Sequence, residues 1–289
     1  MGGTHQAFQQ AARHYQTGNL GQAEAVCRRI LGAEPGFAPA LDLLGVIAFQ
    51  TGHPDAAEDL IRRAVQANSA EPAFHNNLGL VLWAAGKFGE AADCCRRAIA
   101  LSPEFAGAHF NLGNALRDQG NLEEAAATFR RVLALRPDYA EGYLNLGDVL
   151  QRQGRGEEAV AAFRRAVALK PDFPAAHYNL GNALKRQEKL EEAVASYRQA
   201  LALKPDYAEA HNNLGAALEK QNRLDEAVAS YRQALALKPD YAEAHNNRGN
   251  ALAALNRHAE ALAGFERAIV LNPAYGKAHN NRGITLMAL

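Results

Sequence analysis

Neither sign of charge is in excess in this chain: 31 basic and 31 acidic side chains among 289 residues leave a formal net charge of zero. Proteins that grip nucleic acid by its phosphates usually carry a basic surplus, so no nucleic-acid partner is expected. Cysteine is scarce, and Cys27, Cys94 and Cys95 form an odd set with one adjacent pair, which is no disulfide framework. A membrane span needs about 20 consecutive apolar residues, and no such run occurs, so no membrane association is expected. The N-terminus has no basic segment followed by an apolar one, and Gln6 stands where an N-myristoylation signal has Ser or Thr. HExxH, a phosphate-binding glycine loop, GxSxG and Cys-x-x-Cys are missing too, and with them the commonest signatures of metalloprotease, nucleotide, hydrolase and redox chemistry. The expectation is a cytoplasmic chain that is not an enzyme, with no catalytic residues, no metal and no cofactor.

A 34-residue period fills the space that these absences leave. Counted from Thr4, the eighth place of each unit after the first is glycine (Gly45, Gly79, Gly113, Gly147, Gly181, Gly215, Gly249, Gly283), and the first has Ala11. The twentieth place is alanine in every complete unit, from Ala23 and Ala57 to Ala227 and Ala261. Proline closes all complete units but the second, which has Ser69. The units are 4–37, 38–71, 72–105, 106–139, 140–173, 174–207, 208–241 and 242–275, with a partial unit 276–289. A fixed period of this length signals stacked supersecondary units, so residues 1–289 are expected to form a single solenoid array.

Within the unit 208–241, residues His211, Leu214, Gly215 and Leu218 fall at helical spacing. Asp206 and Glu209 predict a capping-box-like start. Asn222 marks a turn, a second helix runs from about Leu224, and Lys238-Pro239-Asp240 stops it, since proline lacks the amide hydrogen. Each unit is therefore read as a helical hairpin whose small residues let the two backbones approach. The aromatic at the twenty-fourth place, Cys27 and Cys95 in two units, is expected to fill the core. Acidic residues open the second helices and arginines follow, as in Glu123, Glu124, Arg130 and Arg131, an order that suits the helix dipole and a solvated face.

The set His211, Leu214, Gly215, Leu218, Ala227, Tyr231, Ala234 and Pro239, repeated in phase, resembles the tetratricopeptide repeat. That resemblance implies an all-α fold: an α-solenoid of stacked helix-turn-helix hairpins forming a right-handed superhelix. First helices would line its concave face. The sixth place on that face is Asn77, Asn111, Asn145, Asn179, Asn213, Asn247 and Asn281. A carboxamide has a donor and an acceptor and suits the main chain of an extended peptide; equally, such residues can bond neighbouring helices. The array resembles the long one of O-linked N-acetylglucosamine transferase, which implies the peptide reading. Other groove places are apolar early, including Phe49 and Trp83, and basic in the middle, with Arg117, Arg152, Lys185, Arg186 and Lys220. The early end is expected to anchor hydrophobic side chains and the middle to hold a polar, acidic segment, with packing against neighbouring helices as the rival role for Phe49 and Trp83. Asn212 and Asn246 stand where the resemblance would place the first lysine of a carboxylate clamp, which counts against that role.

Histidine recurs at the fourth place, in His75, His109, His177, His211, His245 and His279. Each lies on a different hairpin, too far from the next to share an ion at metal–nitrogen distances of roughly 2 Å, so these rings are expected to pack. Three functions stay open. The first is a scaffold that binds a partner protein or extended peptide in its groove. The second is the substrate-recognition portion of a larger glycosyltransferase-type enzyme with its catalytic domain beyond residue 289. The third is a self-assembling scaffold using the uncapped C-terminal helix 276–289, where Ile284, Leu286, Met287 and Leu289 are candidates for exposure.

Overall fold

The computed structural model describes residues 2–288, and the expectation for Leu289 lies outside them. Among the described residues there are seventeen α-helices of 12 to 15 residues and no strand. Two compact units divide the chain, Met1–Val149 and Leu150–Leu289. The first holds α1 (Gly2–Gln16), α2 (Leu20–Ala33), α3 (Ala38–Gln50), α4 (Pro54–Ala67), α5 (Pro72–Ala84), α6 (Phe88–Leu101), α7 (Ala106–Gln119), α8 (Leu122–Leu135) and most of α9 (Ala140–Arg152). The second holds the end of α9, then α10 (Gly156–Leu169), α11 (Pro174–Arg186), α12 (Leu190–Leu203), α13 (Ala208–Lys220), α14 (Leu224–Leu237), α15 (Ala242–Ala254), α16 (His258–Leu271) and α17 (Gly276–Met287). The tightest packing joins the two helices of one hairpin, as in α3 with α4 or α13 with α14. Consecutive first helices also come close, with Cα atoms within 8 Å, α1 with α3 and α3 with α5 in one unit, α11 with α13 and α13 with α15 in the other. Among the described residues of each unit, consecutive second helices do not. Each unit is thus an all-α solenoid with its first helices on the more crowded side.

The eighth-place glycine explains the tight hairpin. A Cβ at Gly215 would lie 2.7 Å from Cε1 of the Tyr231 ring, and one at Gly113 would lie 2.7 Å from Phe129 Cε1. The residue at the twenty-fourth place therefore lies flat against the glycine of its own hairpin, where Phe129, Tyr197, Tyr231 and Phe265 are buried. Cys95 and Ile61 take that place in the early repeats, facing Gly79 and Gly45. All eight twentieth-place alanines are fully buried. Burying one large apolar side chain contributes about 1.5–3 kcal/mol, so these recurring positions carry the core.

The helix starts differ from the sequence expectation. The N-cap of α13 is Tyr207, with no side-chain cap, instead of an Asp206 capping box. The Tyr207 carbonyl accepts from the amides of Ala210 and His211 at 3.0 and 3.1 Å, which closes the first turn by main chain alone. Asp206 stands one place too early to cap. The ring of the cap residue is covered by the basic residue three places before it, with Lys204 Nζ 4.9 Å from the Tyr207 centroid and the Arg136 guanidinium 4.4 Å from that of Tyr139.

The histidines turn out to be turn staples. Each Nε2–H donates to the carbonyl six residues earlier: His75 to Ser69, His109 to Pro103, His177 to Pro171, His211 to Pro205, His245 to Pro239 and His279 to Pro273, all at 2.9–3.0 Å. A carbonyl only accepts, so Nε2 carries a proton in every case. Arg248 and Arg282 replace a leucine on the packed side of α15 and α17, and the Nε of each is buried without a hydrogen-bond partner among the described residues. In α17, Ile284, Leu286 and Met287 are exposed, as their pattern suggested.

Candidate functional site

The sixth-place asparagines all sit half-buried on first helices. In the unit Met1–Val149, Asn77 Nδ2 donates to both carboxylate oxygens of Asp42 at 3.1 Å. Asn111 Nδ2 donates to Asn76 Oδ1 at 2.9 Å, and Asn145 Nδ2 to Asn114 Oδ1 at 3.3 Å. The pattern recurs in the unit Leu150–Leu289, where Asn247 donates to Asn212 at 3.2 Å and Asn281 to Asn246 at 3.0 Å. Asn213 donates twice, to Tyr178 Oη at 3.0 Å and Asn182 Oδ1 at 2.9 Å. Asn179 shares the face and the half-burial. In each of the six bonded cases the N–H points to the preceding repeat, so the row acts as a brace between first helices and holds each carboxamide in one orientation. A carboxamide has two N–H groups and a carbonyl with two lone pairs. Asn111, Asn247 and Asn281 have hydrogen-bonding capacity left over. Asn213 has little, since Lys185 Nζ also donates to its carbonyl at 3.1 Å.

The basic groove residues divide into those engaged internally and those facing solvent. Arg117 is mostly buried, its Nε 2.8 Å from Asp118 Oδ1 and its Nη1 donating to Asn145 Oδ1 at 3.1 Å. The hydrogen bond to Asp118, with the charges of Asp118 and Asp148, holds its pKa above the usual guanidinium value against the effect of burial. Burial lowers the Lys185 pKa. Lys220 pairs with Glu188. Arg152 and Arg186 are exposed. Trp83 is anchored by its Nε1–H, which donates to Asp118 Oδ2 at 2.7 Å, and Phe49 is half-buried. Asp118 thereby ties together Trp83 and Arg117, two residues expected to serve separate ends of a groove.

An open cleft lies on this face in each unit. In the first unit a cleft of about 420 Å3 is walled by Phe8, Tyr15, Leu43 and Phe74, with Asp42 and Glu71 in its lining. Burial, and secondarily the charge of Glu71, push Asp42 up to about 6 against the pull of its bond from Asn77. In the second unit a cleft of about 550 Å3 is lined by Asn246, Asn247, Asn250, Asn280 and Asn281 with Glu243 and Lys277. Sequence reasoning passed over Asp42. The signal was there: it is the one carboxylate at the fifth place, which is otherwise asparagine, an aromatic or leucine.

Elsewhere, second helices are laced by ion pairs between successive repeats, Arg62 to Glu90 and Arg96 to Glu124 in one unit, Arg198 to Glu226 in the other. These are exposed and individually weak. Burial pushes the thiols of Cys27 and Cys94 up to about 11 and that of Cys95 to about 12, so all three stay protonated at neutral pH and react poorly. Among the described residues no helix is long and apolar enough to cross a membrane.

Hairpins in a 34-residue period, with an amide row on the first helices, define a helical-repeat protein of the solenoid class. The chain belongs to the tetratricopeptide repeat family: models described as tetratricopeptide repeats match residues 8–72, 43–104, 76–140 and 242–275, and one described as TPR repeat matches 152–188, 181–222 and 218–256. No curated protein matches the sequence. Among solved structures, the chain resembles the Cut9–Hcn1 hetero-tetramer of the APC/C with a TM-score of 0.67 at 18% identity, over 92% of this chain and 52% of that one. It thus spans about half of that relative, and the likeness shows the fold. A structure of YrrB, described as a TPR protein with an unusual peptide-binding site, matches with a TM-score of 0.59 at 26% identity, over 66% of this chain and 99% of that one. MamA matches with a TM-score of 0.54 at 25% identity, over 57% of this chain and 97% of that one.

Proposed function

We propose that this protein is a non-catalytic, cytoplasmic interaction scaffold whose first-helix faces bind an extended segment of a partner protein, the asparagine row recognising its main chain. The observation that carries this reading is the shared orientation of the row: one N–H of each bonded rung is committed to the preceding repeat, which leaves preset groups at Asn111, Asn247 and Asn281. Groups already held in place lose little freedom on binding. The likeness to YrrB, whose structure has a peptide-binding site, supports the same reading. Each hydrogen bond nets about 0.5–1.5 kcal/mol and ordering an extended peptide offsets much of the sum, so affinity for one segment is micromolar or weaker.

The brace and the reader are separable. Asn76→Ala removes the acceptor of the Asn111 bond but leaves the Asn111 carboxamide; Asn111→Ala removes both. Titrating both variants with peptides selected from a displayed random library should show Asn111→Ala binding roughly threefold to tenfold more weakly than Asn76→Ala, at similar melting temperatures. Equal affinities would reduce the row to a brace.

A further inference from the structure

The cleft in the first unit has two unlike parts. Its walls are the rings of Phe8, Tyr15 and Phe74 and the side chain of Leu43, on α1, α3 and α5. Its lining also contains the carboxyl groups of Asp42 and Glu71. Among the described residues neither carboxyl is in an ion pair: Asp42 is held only by the neutral amide of Asn77, 3.1 Å from each oxygen. An ionised carboxyl against apolar walls without a cation is unfavourable. The repulsion from Glu71 adds to that, and burial has already moved the Asp42 pKa up to about 6. The volume, about 420 Å3, is in the range of sites that enclose a ligand group.

We propose that this cleft docks a protein segment in which a large apolar side chain stands beside a lysine or arginine. The apolar side chain fills the space between Phe8, Tyr15, Leu43 and Phe74. The cation meets Asp42, whose oxygens each keep a lone pair beyond the Asn77 bond, and gains from Glu71 a second negative charge. Charge complementarity selects the occupant: two carboxyls repel an acidic segment or a nucleic-acid phosphate, and the apolar walls favour a side chain over a free inorganic cation. The proposal rests on the peptide-binding reading above and specifies the ligand at one end of it.

The test uses the whole chain and an array of synthetic peptides, each a two-residue pair in a Ser/Gly frame, covering apolar, basic, acidic and polar combinations. Pairs of Leu or Phe with Arg or Lys should be retained best. Replacing the basic residue by Glu should weaken binding at least about tenfold, the scale of a lost charge-assisted bond. Asp42→Asn and Glu71→Gln should each erase the preference for a basic residue while keeping the preference for Leu or Phe, which separates charge recognition from unfolding. Peptide binding with no basic preference, or a basic preference unchanged in Asp42→Asn, overturns this inference and leaves the groove reading standing. Binding of no peptide by the parent chain overturns both.

Discussion

Asp42 shows how one side chain can be set against the stability of its own repeat. Burial, and after it the charge of Glu71, push its carboxyl up to about 6 from 3.8 against the bond from Asn77, with no cation paired to it among the described residues. A carboxyl with a raised folded pKa binds its proton more tightly in the native state than in the unfolded one. Its destabilising effect is therefore absent below pH 4, grows as pH rises through about 6, and is complete above that. Asp42→Asn keeps an acceptor for Asn77 and removes the charge. Denaturant melts should show this variant more stable than the parent by about 1–3 kcal/mol at pH 8, with the gain gone at pH 4. An equal gain at both values would mean that charge is not the cause. A residue that holds back stability in this way fits a binding role, where natural sequences tolerate such a penalty. The sequence marks it only as the one carboxylate at the fifth place; the apolar walls around it, which give that carboxylate its consequence, come from the fold.

At the scale of the element, the hairpin turn is the clearest case of one geometry met by different residues. The fifteenth place has positive φ throughout: Gly18 at 77°, Gly52 at 83° and Gly120 at 91°, but Glu188 at 56°, Asn222 at 59° and Asn256 at 59°. Left-handed backbone carries no steric penalty for glycine and is tolerated by asparagine, whereas glutamate is strained there by roughly 1–2 kcal/mol. Glu188→Gly relieves that strain and loses only the exposed pair with Lys220, which contributes little. Calorimetry should find the variant more stable by about 1 kcal/mol, and a loss of stability would show that the ion pair matters more than the backbone. The turn at Asn222 was legible because asparagine favours turns. The missing capping box was not, because a sequence signature of one Asp and one Glu does not reveal that the chain enters α13 one residue later, at Tyr207.

At the scale of the molecule, among the described residues of each unit a helix comes close only to the next one or the next but one. Stability in such a chain is close to a sum of repeat and neighbour contributions, so the helix with the fewest buried side chains opens first. In α17 the side chains of Ile284, Leu286 and Met287 are exposed and only Ala278 and Thr285 are buried, so hydrogen exchange followed by mass spectrometry should show α17 as the least protected helix of its unit. The hairpin α13–α14, with Tyr231 and Leu218 fully buried, should be among the slowest to exchange. Uniform protection along the unit would contradict a nearest-neighbour stack. Opening at α17 bears on the proposed binding because the amide-lined cleft takes Asn280 and Asn281 from it.

Read alone, the sequence determined the helical hairpins, their period, the glycine and alanine contacts and the row of asparagines on one helix face. These follow from spacing, since residues 34 apart occupy equivalent places and the helical turn sorts faces. The tertiary structure alone decided the partners: that the amides brace the preceding repeat, that the histidines hold the carbonyl six residues back, that Asp118 joins Trp83 to Arg117, and that Asp42 is left facing an apolar cleft. A period along the chain says which side chains share a surface. It does not say which atoms of successive repeats come within hydrogen-bonding reach, because that depends on how closely and at what offset the hairpins stack.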